Sequence, residues 1–191
     1  MISFNLLLQN LKQITNLEPE EEAVFQKAFK PYYLKKNDYF LQATEVNTRL
    51  GFLCKGLVRY FVFRNDEEAT LEFTKEGEFV ADYGSFISKE PSIQNIQALE
   101  DCEFLVINYD DLQHLYKISK NANFLGRIII EHRFIIMVNQ LLTVHRYSEE
   151  DRYRYFLTHY KDLVQRIPQY LIASYVGVKP QSLSRIRKRI S

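Results

Sequence analysis

The chain has 191 residues, 46% of them hydrophobic, with 25 Lys plus Arg set against 24 Asp plus Glu. That length and apolar fraction give one or two domains enough core to fold unaided and exclude wholesale disorder. Taken alone, a formal net charge of +1 argues against a general nucleic-acid binder, which usually carries a basic excess.

Cys54 and Cys102 are too few for a disulfide framework and fall in no CxxC pair or zinc spacing, which points to a reducing compartment. The run from Met1 to Leu8 lacks a basic region and breaks at Gln9, so no leader peptide is expected. No stretch approaches the ~20 apolar residues of a membrane span, and Glu131, His132 and Arg133 interrupt the longest. A soluble, cytoplasmic protein with no membrane partner is expected.

In chain order, Phe4, Leu7, Leu8, Leu11 and Ile14 recur at helical spacing. A second helix is predicted from about Glu18-Pro19, with Val24, Phe25, Ala28 and Phe29 on its apolar face. From Tyr32 to Ile107 short β-runs follow one another: 39–41, 52–54, 57–63, 69–73, 93–99 and 103–107. Many short strands with regular turns predict a sandwich or jelly-roll barrel. After Asn108, a plausible helix cap, the texture turns helical, and a long helix is predicted from about Asn121 to His145. Within it Ile128, Ile135 and Leu142 stand seven apart, preceded in the seam by Leu125, His132 and Asn139. Such heptads, with an Asn in the seam, favour a parallel dimer; the alternative is a stripe that packs on the β-domain. The expected division is 1–120 for a β-roll domain with N-terminal helices, 121–145 for the dimerisation helix and 146–191 for short helices.

The segment Gln169 to Ile186 has helix-turn-helix spacing. Counting Gln169 as the first position, Ala173 is fifth, Gly177 ninth, and Ile172, Val176, Val178, Leu183 and Ile186 fill the fourth, eighth, tenth, fifteenth and eighteenth. Ala173 lets two helices cross closely, Gly177 can take the left-handed turn, and the apolar set wedges the second helix at its angle. Pro180 suits the first turn of that helix. Its exposed residues, Lys179, Gln181, Ser182, Ser184, Arg185, Arg187, Lys188 and Arg189, are cationic or hydrogen-bonding, as reading base edges and neutralising phosphates requires. A helical hairpin with a solvated basic end is the competing reading. Charge partition favours the first: residues 145–191 hold ten basic and four acidic side chains, leaving fifteen basic and twenty acidic in residues 1–144. Neutrality is an average over two opposite regions.

A β-roll, a long helix and a C-terminal helix-turn-helix, in that order, resemble the Crp/Fnr family of bacterial transcription regulators over nearly the whole chain. Arg166-Ile167-Pro168 and the run Ala173 to Lys188 look especially like its divergent members with a Pro opening the recognition helix. The resemblance implies an α+β fold: an N-terminal jelly-roll β-barrel of cyclic-nucleotide-binding type, a long dimerisation helix and a C-terminal helix-turn-helix. It implies a homodimer that reads a near-palindromic site in double-stranded DNA, with Arg185 and Gln181 at base-reading positions. Lys179, Ser182, Arg187, Lys188 and Arg189 complete the expected DNA-binding set, and RNA polymerase would be a further partner.

The family holds a cyclic nucleotide with a Gly-Glu-Leu-like turn and, about ten residues later, an Arg-Ser or Arg-Thr pair. Here the matching turn is Val80-Ala81-Asp82-Tyr83-Gly84 and the matching pair is Ser92-Ile93, which lacks the arginine. A buried phosphate without its charge-assisted partner must still be desolvated, so cyclic AMP is expected to bind weakly or not at all. No cofactor is expected. Asp82, Tyr83, Gly84, Ser92 and Ile93 are candidate contacts for an unidentified small-molecule effector, with an empty, constitutive roll as the alternative. The sequence also stops after the recognition helix, without the family's β-hairpin wing, which leads us to expect modest DNA affinity.

An enzyme is not expected. A cupin-type metal site needs imidazoles on neighbouring strands, whereas His114, His132, His145 and His159 all lie in the helical part. Nor is there a P-loop, a GxSxG elbow or a dinucleotide fingerprint. The other alternative to a DNA-binding regulator is a sensor or interaction protein whose helix-turn-helix no longer binds DNA specifically.

Overall fold

The computed structural model describes residues 2–190; Met1 and Ser191, the outermost residues of the first and last expected segments, lie outside the described residues. Helix α1 (Asn5–Ile14) buries Leu7, Leu8 and Leu11, the apolar set its spacing predicts. Helix α2 (Pro19–Ala28) opens on proline and places Glu20, Glu21 and Glu22 in its first turn, where the unpaired amides favour negative charge.

Eight strands follow: β1 (Lys30–Leu34), β2 (Tyr39–Leu41), β3 (Arg49–Lys55), β4 (Leu57–Arg64), β5 (Glu67–Lys75), β6 (Phe79–Val80), β7 (Asn95–Ala98) and β8 (Cys102–Asn108). They form two four-stranded antiparallel sheets, ordered β1-β8-β3-β6 and β2-β7-β4-β5. Between β6 and β7 lies a short helix, α3 (Tyr83–Ser88). Strand β1 begins two residues before the expected change of texture, and β6 and α3 occupy a segment that reads as turns. Two strand residues and six helical ones are too few to show a period.

The strands reveal why their sequences are nearly continuously apolar. Successive residues point to opposite faces, and both faces are covered. Leu53, Val58 and Phe104 enter the core between the sheets, with Phe40, Val80 and Ile96. Their neighbours Phe52 and Leu105 pack outward against α1, α2 and the helices after β8. Leu57 and Phe73, on the outer face of the second sheet, join the core of the C-terminal helices. The molecule is thus layered as helices, sheet, sheet and helices.

Helix α4 (Tyr109–Ile118) is capped by Asn108, whose side chain accepts from the Asp111 amide at 2.8 Å. Helix α5 (Ala122–Arg146) runs 25 residues. Beyond it come α6 (Glu149–His159), capped by Ser148, then α7 (Gln169–Val176) and α8 (Pro180–Ile190). Helices α6 and α7 lie on β5, and α8 packs on α7. The Phe73 ring meets Phe156, Tyr160 and Tyr175 at centroid distances of 6.2, 6.0 and 5.7 Å. Ser174 Oγ accepts from the Thr70 amide at 2.9 Å and donates to the Glu68 carbonyl at 2.7 Å. Arg166 spans Glu76 and Glu100 with 2.8 and 2.7 Å contacts, and Lys75 pairs with Asp162.

Candidate functional site

Three surfaces carry the residues singled out by sequence. The first is the α7–α8 pair. Helix α7 ends at Gly177, which holds φ 79° and ψ 35°. The Val178 amide donates to the Ala173 carbonyl at 2.9 Å and the Gly177 amide to the Ser174 carbonyl at 3.1 Å. This is a Schellman closure, and its left-handed residue is the reason for glycine there. Ile172, Ala173, Val176, Leu183 and Ile186 are buried between the helices, and Val178 is half-buried. From α6, Arg152 donates to the Val176 carbonyl at 2.7 Å and so fixes the end of α7.

Opposite that wedge, α8 turns Gln181, Ser184, Arg185 and Lys188 to solvent at helical spacing, with Lys179 exposed just before it. The remaining expected contacts are less free. Arg187 donates to the Gln169 side chain at 2.8 Å, Arg189 lies 3.5 Å from Glu150, and Ser182 is half-buried. The family resemblance singles out Gln181 and Arg185 for base reading; the fold leaves these and Lys188 exposed, with Arg187 and Arg189 engaged within the chain.

The second surface is a cavity of about 540 Å³ between the β-roll and α5. Asp82, Tyr83 and Gly84 line it, whereas Ser92 and Ile93 do not. Ile93 is 86% exposed on its loop, outside the expected pocket. Ser92 is buried, but its hydroxyl is spent on the Asp82 carboxylate at 2.6 Å. Asp82 also accepts from the Ser85 amide at 3.2 Å, which makes it the cap of α3. Burial pushes its carboxyl up, yet the Ser92 hydroxyl, the Gln94 side chain and the Ser85 and Gly84 amides outweigh that and hold it below the usual range. This turn is a closed polar knot.

The polar residues that reach the cavity from elsewhere escaped sequence reasoning. Tyr60, Glu72, Arg133 and Gln140 all line it. Arg133 clasps Glu72 with bonds of 2.6 and 2.9 Å, across 61 positions of sequence that no local pattern spans. The available signal was the oddity of each: one carboxylate in the strand run Leu71-Glu72-Phe73, and an Arg inside the apolar stretch 128–138. Burial pushes the thiols of Cys54 and Cys102 up to about 11, so both stay protonated at neutral pH.

The third surface is α5, whose two halves differ. Leu125, expected in the dimer seam, is 2% exposed and packs with Leu112 and Leu115 of its own domain, so it is no part of an exposed stripe. Ile128 is half-buried, His132 and Asn139 are exposed, and Ile135 and Leu142 lie open together with Phe134, Met137, Leu141 and Val144. No helix among the described residues is long and apolar enough to cross a membrane.

Residues 32–119 match the cyclic nucleotide-binding domain family. No curated protein sequence matches the chain at a comparable level. Among solved structures, the chain is similar to the c-di-GMP-responsive global regulator CLP of Xanthomonas campestris, at 18% identity, 91% of each chain covered and a TM-score of 0.74. FixK2 of Bradyrhizobium japonicum superposes at 13% identity over 85% of this chain and 84% of its own, with a TM-score of 0.73. The catabolite activator protein of Thermus thermophilus does so at 18% identity over 95% and 86%, with a TM-score of 0.60. At such identities the likeness is one of fold, and it extends through α5 to the C-terminal helices. Residues 32–119 are thus similar to a cyclic nucleotide-binding domain, within a chain that shares the fold of these three proteins.

Proposed function

We propose that the protein is a homodimeric, sequence-specific DNA-binding transcription regulator of the cytoplasm, not an enzyme, whose β-roll senses a small molecule. The observation that carries this reading is the α7–α8 pair. A Schellman turn at Gly177 and a five-residue apolar wedge set α8 at a fixed angle, and Gln181, Arg185 and Lys188 project from its free face. In this reading α7 and α8 are a helix-turn-helix and α8 enters the major groove. Arg185 pairs with a guanine edge, and Lys179 and Lys188 neutralise phosphates. Two copies joined along the exposed half of α5 would present two such helices to a two-fold site.

Cyclic AMP is not the effector in this reading. The expected phosphate contacts, Ser92 and Ile93, lie outside the cavity, and the one guanidinium that reaches it is matched by Glu72. These residues do not fit a cyclic phosphate, which needs an unpaired cation.

Selection of bound duplexes from a random pool, followed by gel shifts across a salt series, tests the proposal. A two-fold symmetric motif bound in a steeply salt-dependent way is expected. Enrichment of no motif, with equal binding to all duplexes, would overturn it.

A further inference from the structure

The cavity is not confined to the β-roll. It extends beyond the roll, beneath α1 and α2, and is walled by Leu7, Phe25, Leu50, Phe79, Ile129 and Met137. Its volume of about 540 Å³ lies within the range of small-molecule sites. Its charges are few, and its one guanidinium is already paired with Glu72. Among the described residues that line it, Glu72 and Asp82 are the acids and Arg133 the one base.

We infer that this cavity takes an uncharged, mainly apolar small molecule with a single hydrogen-bonding head group. The inference rests on the reading of the β-roll as a sensor and supplies the chemistry of what it senses. An anionic ligand would have to break the two-bond Arg133–Glu72 clasp and leave a carboxylate facing it. Asp82 offers no help, because Ser92 and the Ser85 amide occupy its oxygens. The Tyr60 hydroxyl is engaged by the Ala81 amide at 3.1 Å. The Gln94 side chain is bonded to Asp82 and that of Gln140 to Tyr160, so the Tyr83 and Tyr116 hydroxyls are the groups that offer a donor and an acceptor to a hydroxyl, ketone or amide head group. The rest of the ligand meets leucine, isoleucine and phenylalanine, where transfer from water is itself favourable.

The test uses the full chain and the neutral fluorophore N-phenyl-1-naphthylamine, with 1-decanol, decanoate and cyclic AMP as competitors. The expected result is saturable binding of one fluorophore per chain and displacement by 1-decanol. Decanoate should compete at least a hundredfold more weakly, and cyclic AMP not at all. Leu71 lines the cavity and is 45% exposed, so Leu71→Trp should narrow the rim and weaken fluorophore binding at least tenfold with an unchanged melting temperature. Glu72→Gln would free the Arg133 charge and should raise decanoate affinity at least tenfold relative to 1-decanol, a gain that misfolding cannot produce. Decanoate binding as tightly as 1-decanol, or cyclic AMP displacing the fluorophore at micromolar concentration, would overturn the ligand class and leave the sensor standing. Undiminished binding in a folded Leu71→Trp variant would place the fluorophore outside the cavity and also overturn the inference. If none of the four compounds binds, the sensor reading falls with it.

Discussion

Among the described residues, two exposed surfaces are left uncovered by the rest of the chain, and their chemistry is opposite. The second half of α5 shows Phe134, Ile135, Met137, Leu141, Leu142 and Val144 to solvent. The free face of α8 shows Gln181, Ser184, Arg185 and Lys188. An apolar stripe of that length calls for another apolar surface, because its exposure to water is unfavourable. A cationic face is well solvated alone and calls for phosphate. The two surfaces therefore differ in what should control their occupancy: salt should govern α8 and leave α5 nearly indifferent.

Salt offers the largest separation of the two. With about four phosphate contacts per dimer, from Lys179 and Lys188 of each copy, raising salt from about 50 to 200 mM should lower DNA affinity by more than about 10²-fold. Over the same range the dimer dissociation constant, read by analytical ultracentrifugation, should move less than about twofold. A dimer that weakened in parallel with DNA binding would mean that charge, not the α5 stripe, joins the copies. Next in size, Phe134→Asp combined with Leu142→Asp should raise the dimer dissociation constant at least about a hundredfold. Both positions are more than half exposed, so the melting temperature of the diluted monomer should stay close to its starting value.

On α8 itself, Arg185→Ala should cost about 1–3 kcal/mol of specific binding and relax the selected motif at one base per half-site. Arg187→Ala should do less, because that guanidinium is already held by Gln169. Equal losses at the two positions would show that the Arg187–Gln169 bond opens on DNA. Smaller again, Gly177→Ala places a Cβ at φ 79° and should cost about 1 kcal/mol. Circular dichroism melting would read this as a fall of roughly 2–4 °C.

The smallest effect concerns the seat that holds α8 in place. Burial pushes the Glu76 carboxyl up, but the Arg166 guanidinium and the Gly56 amide hold it below its ordinary value of 4.5. A depressed carboxylate contributes its stability above the unfolded value, and that contribution is lost as pH falls from about 4.5 through the folded one. Melting temperature should therefore drop more between pH 7 and pH 4 in the natural chain than in Arg166→Gln. Equal drops would remove this pair from the attachment of the C-terminal helices to β5.

Much of the architecture was legible because it depends on periods and caps. The start of α8 at Pro180, the Asn108 cap and the β2 strand match their sequence readings, and the four histidines lie in helices as expected. What was not legible depended on pairs far apart in sequence. Leu125 reads as a seam residue by spacing, yet its burial is decided by Leu112 and Leu115. The family resemblance makes Ile93 a pocket residue, yet the loop carries it to solvent while Ser92 turns inward. The Glu72–Arg133 clasp joins β5 to α5 and has no trace in either local pattern.

By itself the sequence determined where the long helices and most strands form, though not β1, β6 or α3, where the chain turns at Gly177, and that charge divides between an acidic first part and a basic end. These properties follow from neighbours a few residues apart and from composition, both of which are local. Only the tertiary structure decided which half of α5 stays open, which arginines of α8 are free, and that the cavity's one base is neutralised before any ligand arrives. The physical reason is that burial and charge balance belong to a surface, and a surface exists only once distant strands and helices have packed together.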